Sequence, residues 1–499
     1  MATVSSLGIG SNLDLTSLLA NIKSAEQAPL QALQQKQTSY NAKLTAYGQL
    51  QSALSALQTA ANALAKPELF QGFTTSSSAS DVLSATANVS AMSGVYVVNV
   101  TQLAQAQSLA SAGVASSITA LADPGSAKTT LLFDFGSISG GSLGSDGKYT
   151  GATFSPAVLP SATASNSITI DPTKSSLADI RDAINGNAGL GVSASIVNDG
   201  SATPNRLVLT SKQTGTASSM RITASGDPSV SGSVADPAIA ALLSNDPASS
   251  TQLQQTMAAQ NTLLSVNGIA VTSATTSVKD AVQNVTMTVT KLGNSTLTVQ
   301  NDTTSVQGAI TSFVNAYNSL QGLASKLTAY DANSKSGAAL LGDSTLRNIQ
   351  VRIRSMLNTE QAANSSGLNM LSQIGVSFQK DSTLATDSAK LTAALNTKLS
   401  GVAALFSGNS GVGGYGKQMA TLIDNFIGTD GTLSTATKGL NTTLDSLSKQ
   451  YSATSERIDA TVARYKAQFT RLDVMMSSMN RTSSYLTQQF DALNNTSKN

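Results

Sequence analysis

The hydrophobic pattern divides the chain into two helical ends and a middle that has the two-residue period of strands. At the C-terminus, apolar side chains recur at steps of three and four, which keeps one helical face apolar over many turns. This C-terminal stripe comprises Leu440, Leu444, Leu447, Tyr451, Ile458, Val462, Tyr465, Phe469, Leu472, Met476, Met479, Leu486, Phe490 and Leu493. A similar N-terminal stripe comprises Leu33, Tyr40, Leu44, Tyr47, Leu50, Leu54, Leu57, Ala61 and Leu64. Because an uncovered apolar face costs solubility, each stripe predicts a partner, either the other terminus or copies of the same chain.

Further helices and strands follow from the same analysis of period. Helices are predicted at 14–26 and 30–65, which Pro29 separates, and again at 306–327, 344–358 and 388–406. The segments with a period of two, or with many β-branched residues, are 95–100, 167–170, 192–197, 206–210, 263–266, 285–290 and 295–300. A short helical face is expected at 177–184, and Asn267-Gly268 is a strong hairpin signal. Residues 116–163 are expected to form short strands with long loops, and the polar stretch 226–259 to leave this unit.

The order of these elements predicts an α+β multidomain protein. Terminal α-helical coiled-coil or bundle legs would enclose nested, inserted β-rich head domains. The predicted leg domain is 41–71 with 302–435, the head domain is 72–117 with 256–301, and 118–255 is an outer head domain inserted within it. Residues 1–40 would form an N-terminal segment that is disordered in the monomer, and 436–499 a C-terminal amphipathic helix.

Composition removes most chemical functions. The chain has no cysteine and no histidine, so it lacks thiol chemistry, disulfides and the commonest general base. A net charge of +2 gives no electrostatic case for nucleic acid. No apolar run approaches the ~18 residues of a membrane span, and the N-terminus lacks the pattern of a cleavable signal. We therefore expect no enzymatic activity, no cofactor, no metal site and no membrane span, in a protein that is cytoplasmic unless a signal-independent route exports it.

One glycine motif and one group of acidic residues are candidate chemical sites. Residues 411–416 have the spacing GxGxxG ahead of a helical pattern that begins near Lys417. A dinucleotide site requires a strand before the glycines and an acid about 20 residues beyond, whereas 395–406 is helical in pattern and position 436 is Ala. An interhelical loop is therefore the better interpretation. Asp424, Asp430 and Asp445 are interpreted as solvated acids rather than as a catalytic group.

Four sequence blocks resemble the family of bacterial flagellar filament-capping proteins, the distal hook-associated proteins. The first block is GIGSNLD at 8–14, with AEQAPL at 25–30 and AYGQL at 46–50. The second, at 177–185, 191–200 and 206–215, is similar to the repeated Ile-Asn motif of flagellins and hook proteins. The third is LSQIGV at 371–376, and the fourth runs from RYKAQF at 464–469 to SYL at 484–486. The blocks span nearly the whole chain, and those at the two ends are specific.

The resemblance implies a protein that is secreted through the flagellar type III export apparatus and located at the distal tip of the filament. It implies a ring-like homo-oligomer that promotes the folding and insertion of flagellin, and a cytoplasmic export chaperone bound at the C-terminal helix before secretion. The alternatives are another axial component, such as a flagellin or a hook-filament junction protein, and a surface adhesin whose head domains bind host glycans. The assembly interface is predicted at Leu44, Tyr47, Leu50, Leu54, Leu57, Ile458, Val462, Tyr465, Phe469, Leu472, Met476, Met479, Leu486 and Phe490.

Overall fold

The fold was analysed in a computed structural model, which describes residues 14–157, 166–333, 335–361, 367–409 and 413–496. The chain forms two units. The helical unit comprises Met1–Phe70 with Thr303–Asn499, and the β-rich unit comprises Gln71–Asp302. The predicted α+β architecture, with helical ends on either side of a strand-rich middle, is confirmed. The finer division of the β-rich unit into an inner and an outer head domain stays a prediction.

The α-helices follow the predicted periodic segments closely. They are α1 (Leu15–Glu26), α2 (Ala28–Leu64), α3 (Leu177–Gly186), α4 (Pro237–Leu243), α5 (Thr303–Leu327), α6 (Ser344–Asn358), α7 (Ser388–Thr397), α8 (Leu399–Ser407), α9 (Tyr415–Ile427) and α10 (Thr432–Thr496). The predicted helix 388–406 is two helices, because the backbone of Lys398 leaves the helical conformation between them. Helices α1 and α2 occupy much of the segment that was expected to be disordered in the monomer, and residues 1–13 lie outside the described residues.

The strands fill the β-rich unit and form two small hairpins in the helical unit. They are β1 (Phe73–Ser77), β2 (Leu83–Ala87), β3 (Gly94–Gln102), β4 (Ser108–Ala110), β5 (Thr129–Leu143), β6 (Tyr149–Pro156), β7 (Ser167–Ile170), β8 (Val192–Asn198), β9 (Asn205–Ser211), β10 (Ser219–Ser225), β11 (Asn245–Asp246), β12 (Ser250–Thr251), β13 (Gln254–Met257), β14 (Thr262–Val266), β15 (Ile269–Ser273), β16 (Ser277–Val282), β17 (Val285–Val289), β18 (Gly293–Asn301), β19 (Tyr330–Asp331), β20 (Ser336–Gly337), β21 (Val376–Phe378) and β22 (Leu384–Thr386).

The helical unit is built around α2. This helix has a proline in its first turn, as the fixed φ of that residue allows, and it ends at Leu64, shortly before Pro67. Its apolar stripe packs against α5 and α9, and also against α10. The deepest side chains of the stripe, Leu50, Leu54 and Leu57, are fully buried. The stripe on α2 is therefore covered within the chain itself.

A polar cluster joins α2 to the start of α6. The Asp343 side chain caps α6 by accepting a hydrogen bond from the backbone N–H of Leu346 at 3.0 Å. The same carboxylate accepts the hydroxyl of Tyr47 at 2.8 Å and pairs with the Lys43 ammonium at 3.0 Å, and its side chain is only 5% exposed. Because all three donors come to one buried carboxylate, the cluster fixes the position of α6 on α2.

Two antiparallel sheets of the β-rich unit enclose its first core. The first sheet has the order β1-β18-β3-β14-β15, and the second has the order β16-β17-β2. The predicted hairpin at Asn267-Gly268 joins β14 to β15, with φ of 49° and 83° at its two central residues. These positive angles are those of the tight hairpin turn that the Asn-Gly pair favours.

The remaining part of the β-rich unit has a second core, covered by two sheets with α3 and α4. One sheet has the order β12-β11-β10-β5-β6, with β7 also paired to β5, and the other has the order β13-β4-β9-β8. Two predictions are wrong here. The segment 116–163 contains one long strand, β5, rather than short strands alone. The stretch 226–259 does not leave the unit, because Ile239 and Leu243 of α4 are buried in this same core.

Candidate assembly site on the C-terminal helix

The first part of α10 belongs to the core of the helical unit. The helix contacts α2, α1 and α9. Three of its apolar side chains are buried, at Leu433, Leu447 and Ile458. The spacing of these residues follows the apolar stripe seen in the sequence. Intramolecular packing therefore accounts for the stripe as far as Ile458.

The exposure of the stripe rises along the second part of α10. Val462, Phe469 and Met476 are half-buried, whereas Tyr465 and Leu472 are exposed. From Ser478 to the last described side chain at position 493, every side chain is exposed. Large apolar groups therefore lie in water along this part of the helix. The most exposed of those on the stripe are Met479, Leu486, Phe490 and Leu493.

Apolar side chains on this part of α10 follow a heptad that Ser483 interrupts, and Val474, Met475 and Tyr485 are exposed outside it. Tyr465, Leu472, Met479, Leu486 and Leu493 lie seven residues apart, and Phe469, Met476 and Phe490 lie four residues after members of that series. This alternation of three- and four-residue steps is the a/d pattern of a coiled-coil seam. We call these eight residues the C-terminal seam. A seam with this repeat is shaped to receive another helix.

Toward the C-terminal end of α10, the residues that flank the seam are polar and uncharged. In the heptad of the seam, the flanking positions toward the C-terminal end are Asn480, Thr482, Thr487 and Gln489, none of which carries a charge. Tyr465 and Phe469 stack on each other with ring centroids 6.3 Å apart. Charged e and g positions commonly select the partner of a coiled coil. Charged e positions occur only beside the first half of the seam, at Lys466 and Asp473.

The residues predicted for the N-terminal half of the interface lie elsewhere. Tyr47, Leu50, Leu54 and Leu57 are buried in the core of the helical unit, and Leu44 is half-buried beside them. Burial and the hydrogen bond to Asp343 together raise the pKa of Tyr47 to about 12. Because these side chains are covered within the chain, they offer little surface to a second copy. Ile458 is likewise buried within the chain, so the exposed part of the predicted interface lies beyond it on α10.

Leu493 is a member of the C-terminal seam that the predicted interface omits. It is 64% exposed and continues the heptad by one further step after Phe490. Leu493 belongs to the C-terminal stripe of the sequence, but the apolar period does not show which residues of that stripe are exposed.

The remaining sequence signals carry no site in the described residues. Gly413, Gly414 and Gly416 precede or begin α9, and 410–412 lie outside the described residues. A Cβ on Gly416 would lie 2.8 Å from the backbone of α2, so close packing accounts for this glycine. No group of three acidic side chains in the described ranges could hold a metal ion. In the same ranges, no helix combines the length and the apolar character that crossing a membrane requires.

Three family models match the chain. The model of the flagellar hook-associated protein 2 N-terminus matches residues 11–107, and the model of its C-terminus matches residues 259–481. The flagellin hook IN motif matches residues 161–213, which contain β7, α3, β8 and β9. The first two models cover most of the sequence blocks that carry the resemblance at the two ends of the chain, apart from residues 8–10 and 484–486.

Relatives and solved structures agree with these matches. The flagellar hook-associated protein 2 of Escherichia coli K12 is 41% identical over 98% of this chain and 99% of the relative. That of Salmonella typhimurium is 38% identical over 99% of this chain and 100% of the relative. The crystal structure of the D1-D2-D3 domains of the flagellar cap protein FliD from Escherichia coli covers 79% of this chain and 99% of its own, with 37% identity and a TM-score of 0.61. The chain therefore belongs to the flagellar hook-associated protein 2 family, the FliD cap proteins of the bacterial flagellum.

Proposed function

We propose that this protein caps the distal tip of the flagellar filament as a ring-like homo-oligomer. The observation that supports the proposal most directly is the C-terminal seam, which has a coiled-coil repeat and lies in water in the single chain. Burying such side chains contributes about 25 cal/mol for each Å² of apolar surface removed from water. The seam is therefore a source of free energy that becomes available only on assembly.

We propose further that the cap promotes the folding and insertion of exported flagellin. The relatives are hook-associated proteins, and a solved relative is named a flagellar cap protein. A cap that stays on a growing tip has to release and rebind as subunits enter beneath it. A seam with few flanking charges suits this exchange, because its contacts depend on apolar packing rather than on fixed ion pairs. This work requires positioning and binding, and no catalytic residue.

The same seam supports the proposal of an export chaperone as a partner of this chain. Before secretion the protein is in the cytoplasm, where an exposed apolar helix face favours aggregation. We propose that a cytoplasmic chaperone covers α10 until the chain enters the flagellar type III export apparatus. Copurification of the chaperone with the full-length chain, lost when the chain ends after Ser478, is the expected result.

Genetic complementation tests the cap function. A strain without the gene should be non-motile and should release unpolymerised flagellin into the medium, and the wild-type gene should restore filaments. We expect Leu486→Asp to fail in this complementation, because it places a carboxylate in the seam. Tyr485→Asp is the matched control, since Tyr485 is exposed and adjacent in sequence but lies off the seam.

Two results would contradict the proposal. Normal filaments in the strain without the gene would exclude an essential cap. Equal complementation by the two variants would exclude the seam as the assembly surface. Secreted amounts of each variant should be compared by immunoblot, so that a defect in export is distinguished from a defect in capping.

A further inference from the structure

Methionine is concentrated at the middle of the C-terminal seam. The chain has 11 methionines, and three of them, Met475, Met476 and Met479, lie within one short stretch of α10. Met476 and Met479 belong to the seam, and Met475 flanks it. Within the heptad series from Tyr465 to Leu493, Met479 lies at equal distance from the two ends. The seam therefore places thioether sulfur where a second helix would be centred.

The side chains of these methionines are accessible in the single chain. Met479 is 59% exposed and Met476 is half-buried. The methionines that fill the cores of the two units are fully buried, at Met220, Met287 and Met419. An oxidant has to reach the sulfur atom to react with it, so the core methionines are protected by the fold. The methionines of the seam have no such protection until another helix covers them.

We propose that Met476 and Met479 are sites of reversible oxidation to methionine sulfoxide by a peroxide, and that this modification prevents assembly. The inference rests on the proposed homo-oligomeric cap, in which the seam is an assembly surface. In the reaction, the thioether sulfur attacks one oxygen of hydrogen peroxide. The S–O bond forms as the O–O bond breaks, and the second oxygen leaves as water. The sulfur is thereby oxidised by two electrons and the peroxide is reduced.

The chemical change opposes burial of the seam. Oxidation converts a flexible apolar side chain into a polar one, which disrupts interfaces that contain methionine. Leu472 and Leu486, the leucines of the seam on either side, carry no hydrogen-bond donor. Ser483 supplies one hydroxyl at a heptad position beside Met479, and no such hydroxyl lies beside Met476. A sulfoxide oxygen buried in this seam therefore loses its hydration for little return.

Peroxide treatment of the full-length protein tests the inference. The dose should be chosen by peptide mass spectrometry so that Met476 and Met479 are oxidised while Met220 and Met419 stay intact. We expect oxidation to raise the dissociation constant of assembly, measured by light scattering, at least about tenfold. The double variant Met476→Leu/Met479→Leu should assemble like the wild type and should not respond to peroxide, because leucine replaces methionine with little change of volume.

Met92 supplies a matched control. It is 60% exposed, nearly the same as Met479, but it belongs to the β-rich unit. The variant Met92→Leu should therefore lose assembly on peroxide treatment as the wild type does. The two methionine sulfoxide reductases, one for each epimer of the sulfoxide, should restore assembly of the oxidised wild type. Met476 and Met479 should also be oxidised more slowly in the assembled fraction than in the monomeric one.

Four outcomes would overturn the inference. An unchanged dissociation constant after oxidation of Met476 and Met479 leaves the cap function intact and removes the effect of the modification. An equal loss of assembly in the double variant assigns the effect to another methionine, such as the flanking Met475. Failure of the reductases to restore assembly excludes a reversible modification. Untreated protein that stays monomeric at all concentrations removes the homo-oligomeric cap together with this inference.

Discussion

Asp343 is the residue at which burial and ion pairing oppose each other most directly. Burial alone raises the pKa of its carboxyl group, but the bonds from Leu346 N–H, Lys43 and Tyr47 outweigh burial and hold the pKa below its usual value. A carboxyl whose pKa is lowered by folding stabilises the native state while it is ionised. That contribution is present above the ordinary carboxyl pKa of about 3.9, and it is lost as the pH falls through the lowered native value.

We therefore predict that Asp343→Asn lowers the free energy of unfolding at neutral pH by about 1–3 kcal/mol. Asparagine still caps α6, so the loss comes from the charge-assisted bonds to Lys43 and Tyr47. The difference from the wild type should shrink as the pH falls below about 4, where the carboxyl of the unfolded chain becomes protonated, and it should disappear as the pH falls through the lowered native pKa of Asp343. Urea unfolding followed by far-ultraviolet circular dichroism at several pH values measures it.

The exposed pair of Asp445 and Lys449 is the control for this prediction. The two side chains lie 2.7 Å apart on α10 but are 65% and 77% exposed. Surface pairs of this kind contribute little to stability, so Asp445→Asn should change neither the free energy of unfolding nor its pH dependence measurably. A loss of stability for Asp445→Asn as large as that for Asp343→Asn would contradict the stabilising role assigned to the Asp343 charge. A loss for Asp343→Asn that does not vary with pH would contradict it as well.

At the same scale, the sequence predicts which residues are apolar neighbours on a helix but not what covers them. The stripe through Tyr47 and Leu50 and the stripe through Leu486 have the same period. One stripe is buried by α5 and α9, and the other is exposed. The difference depends on helices more than 200 residues away along the chain, as with the Tyr47–Asp343 bond. A local period contains no information on such distant contacts.

Among the elements, the close contact between α9 and α2 gives the sharpest prediction. A Cβ on Gly416 would lie 2.8 Å from the carbonyl oxygen of Ala61 and from the backbone nitrogen of Ala65. Both contacts are with backbone, so the helices have to move apart to accept a methyl group. We expect Gly416→Ala to lower the free energy of unfolding by about 1–3 kcal/mol.

Gly322 in α5 is the matched control, because a Cβ there meets nothing within 4 Å. Alanine favours a helix over glycine by up to about 1 kcal/mol, so Gly322→Ala should raise the free energy of unfolding. The two substitutions are chemically the same and should have opposite signs in the same urea titration. A gain in stability from both would show that α9 and α2 are not in close contact.

The elements also show where sequence analysis succeeds and where it fails. Helix α6 is predicted at its observed bounds because Leu346, Ile349, Ile353 and Leu357 follow the helical period. Strand β5 is not predicted, because its second half is rich in glycine and serine and has no alternating apolar pattern. That half is held by its pairing with β6, an interaction between strands that no period within β5 reveals.

At the scale of the whole molecule, α10 serves two roles at two different positions along its length. Leu447 and Ile458 belong to the core of the helical unit, whereas the side chains from Ser478 onward are exposed. The sequence shows one uninterrupted stripe across both parts. Two shortened chains, one ending after Ser478 and one ending after Gly439, can therefore separate the contribution of α10 to stability from its contribution to assembly.

We predict that a chain ending after Ser478 unfolds at the same urea concentration as the full-length protein, because every described side chain that it loses is exposed. It should nevertheless stay monomeric in light scattering, since it lacks Met479, Leu486, Phe490 and Leu493.

A chain ending after Gly439 also loses the buried Leu447 and Ile458. Its helical unit should be less stable by about 3–6 kcal/mol, the free energy of burying two large apolar side chains. Assembly by the chain ending after Ser478 would exclude the exposed end of α10 from the interface, and a loss of stability would show that this end packs on the single chain.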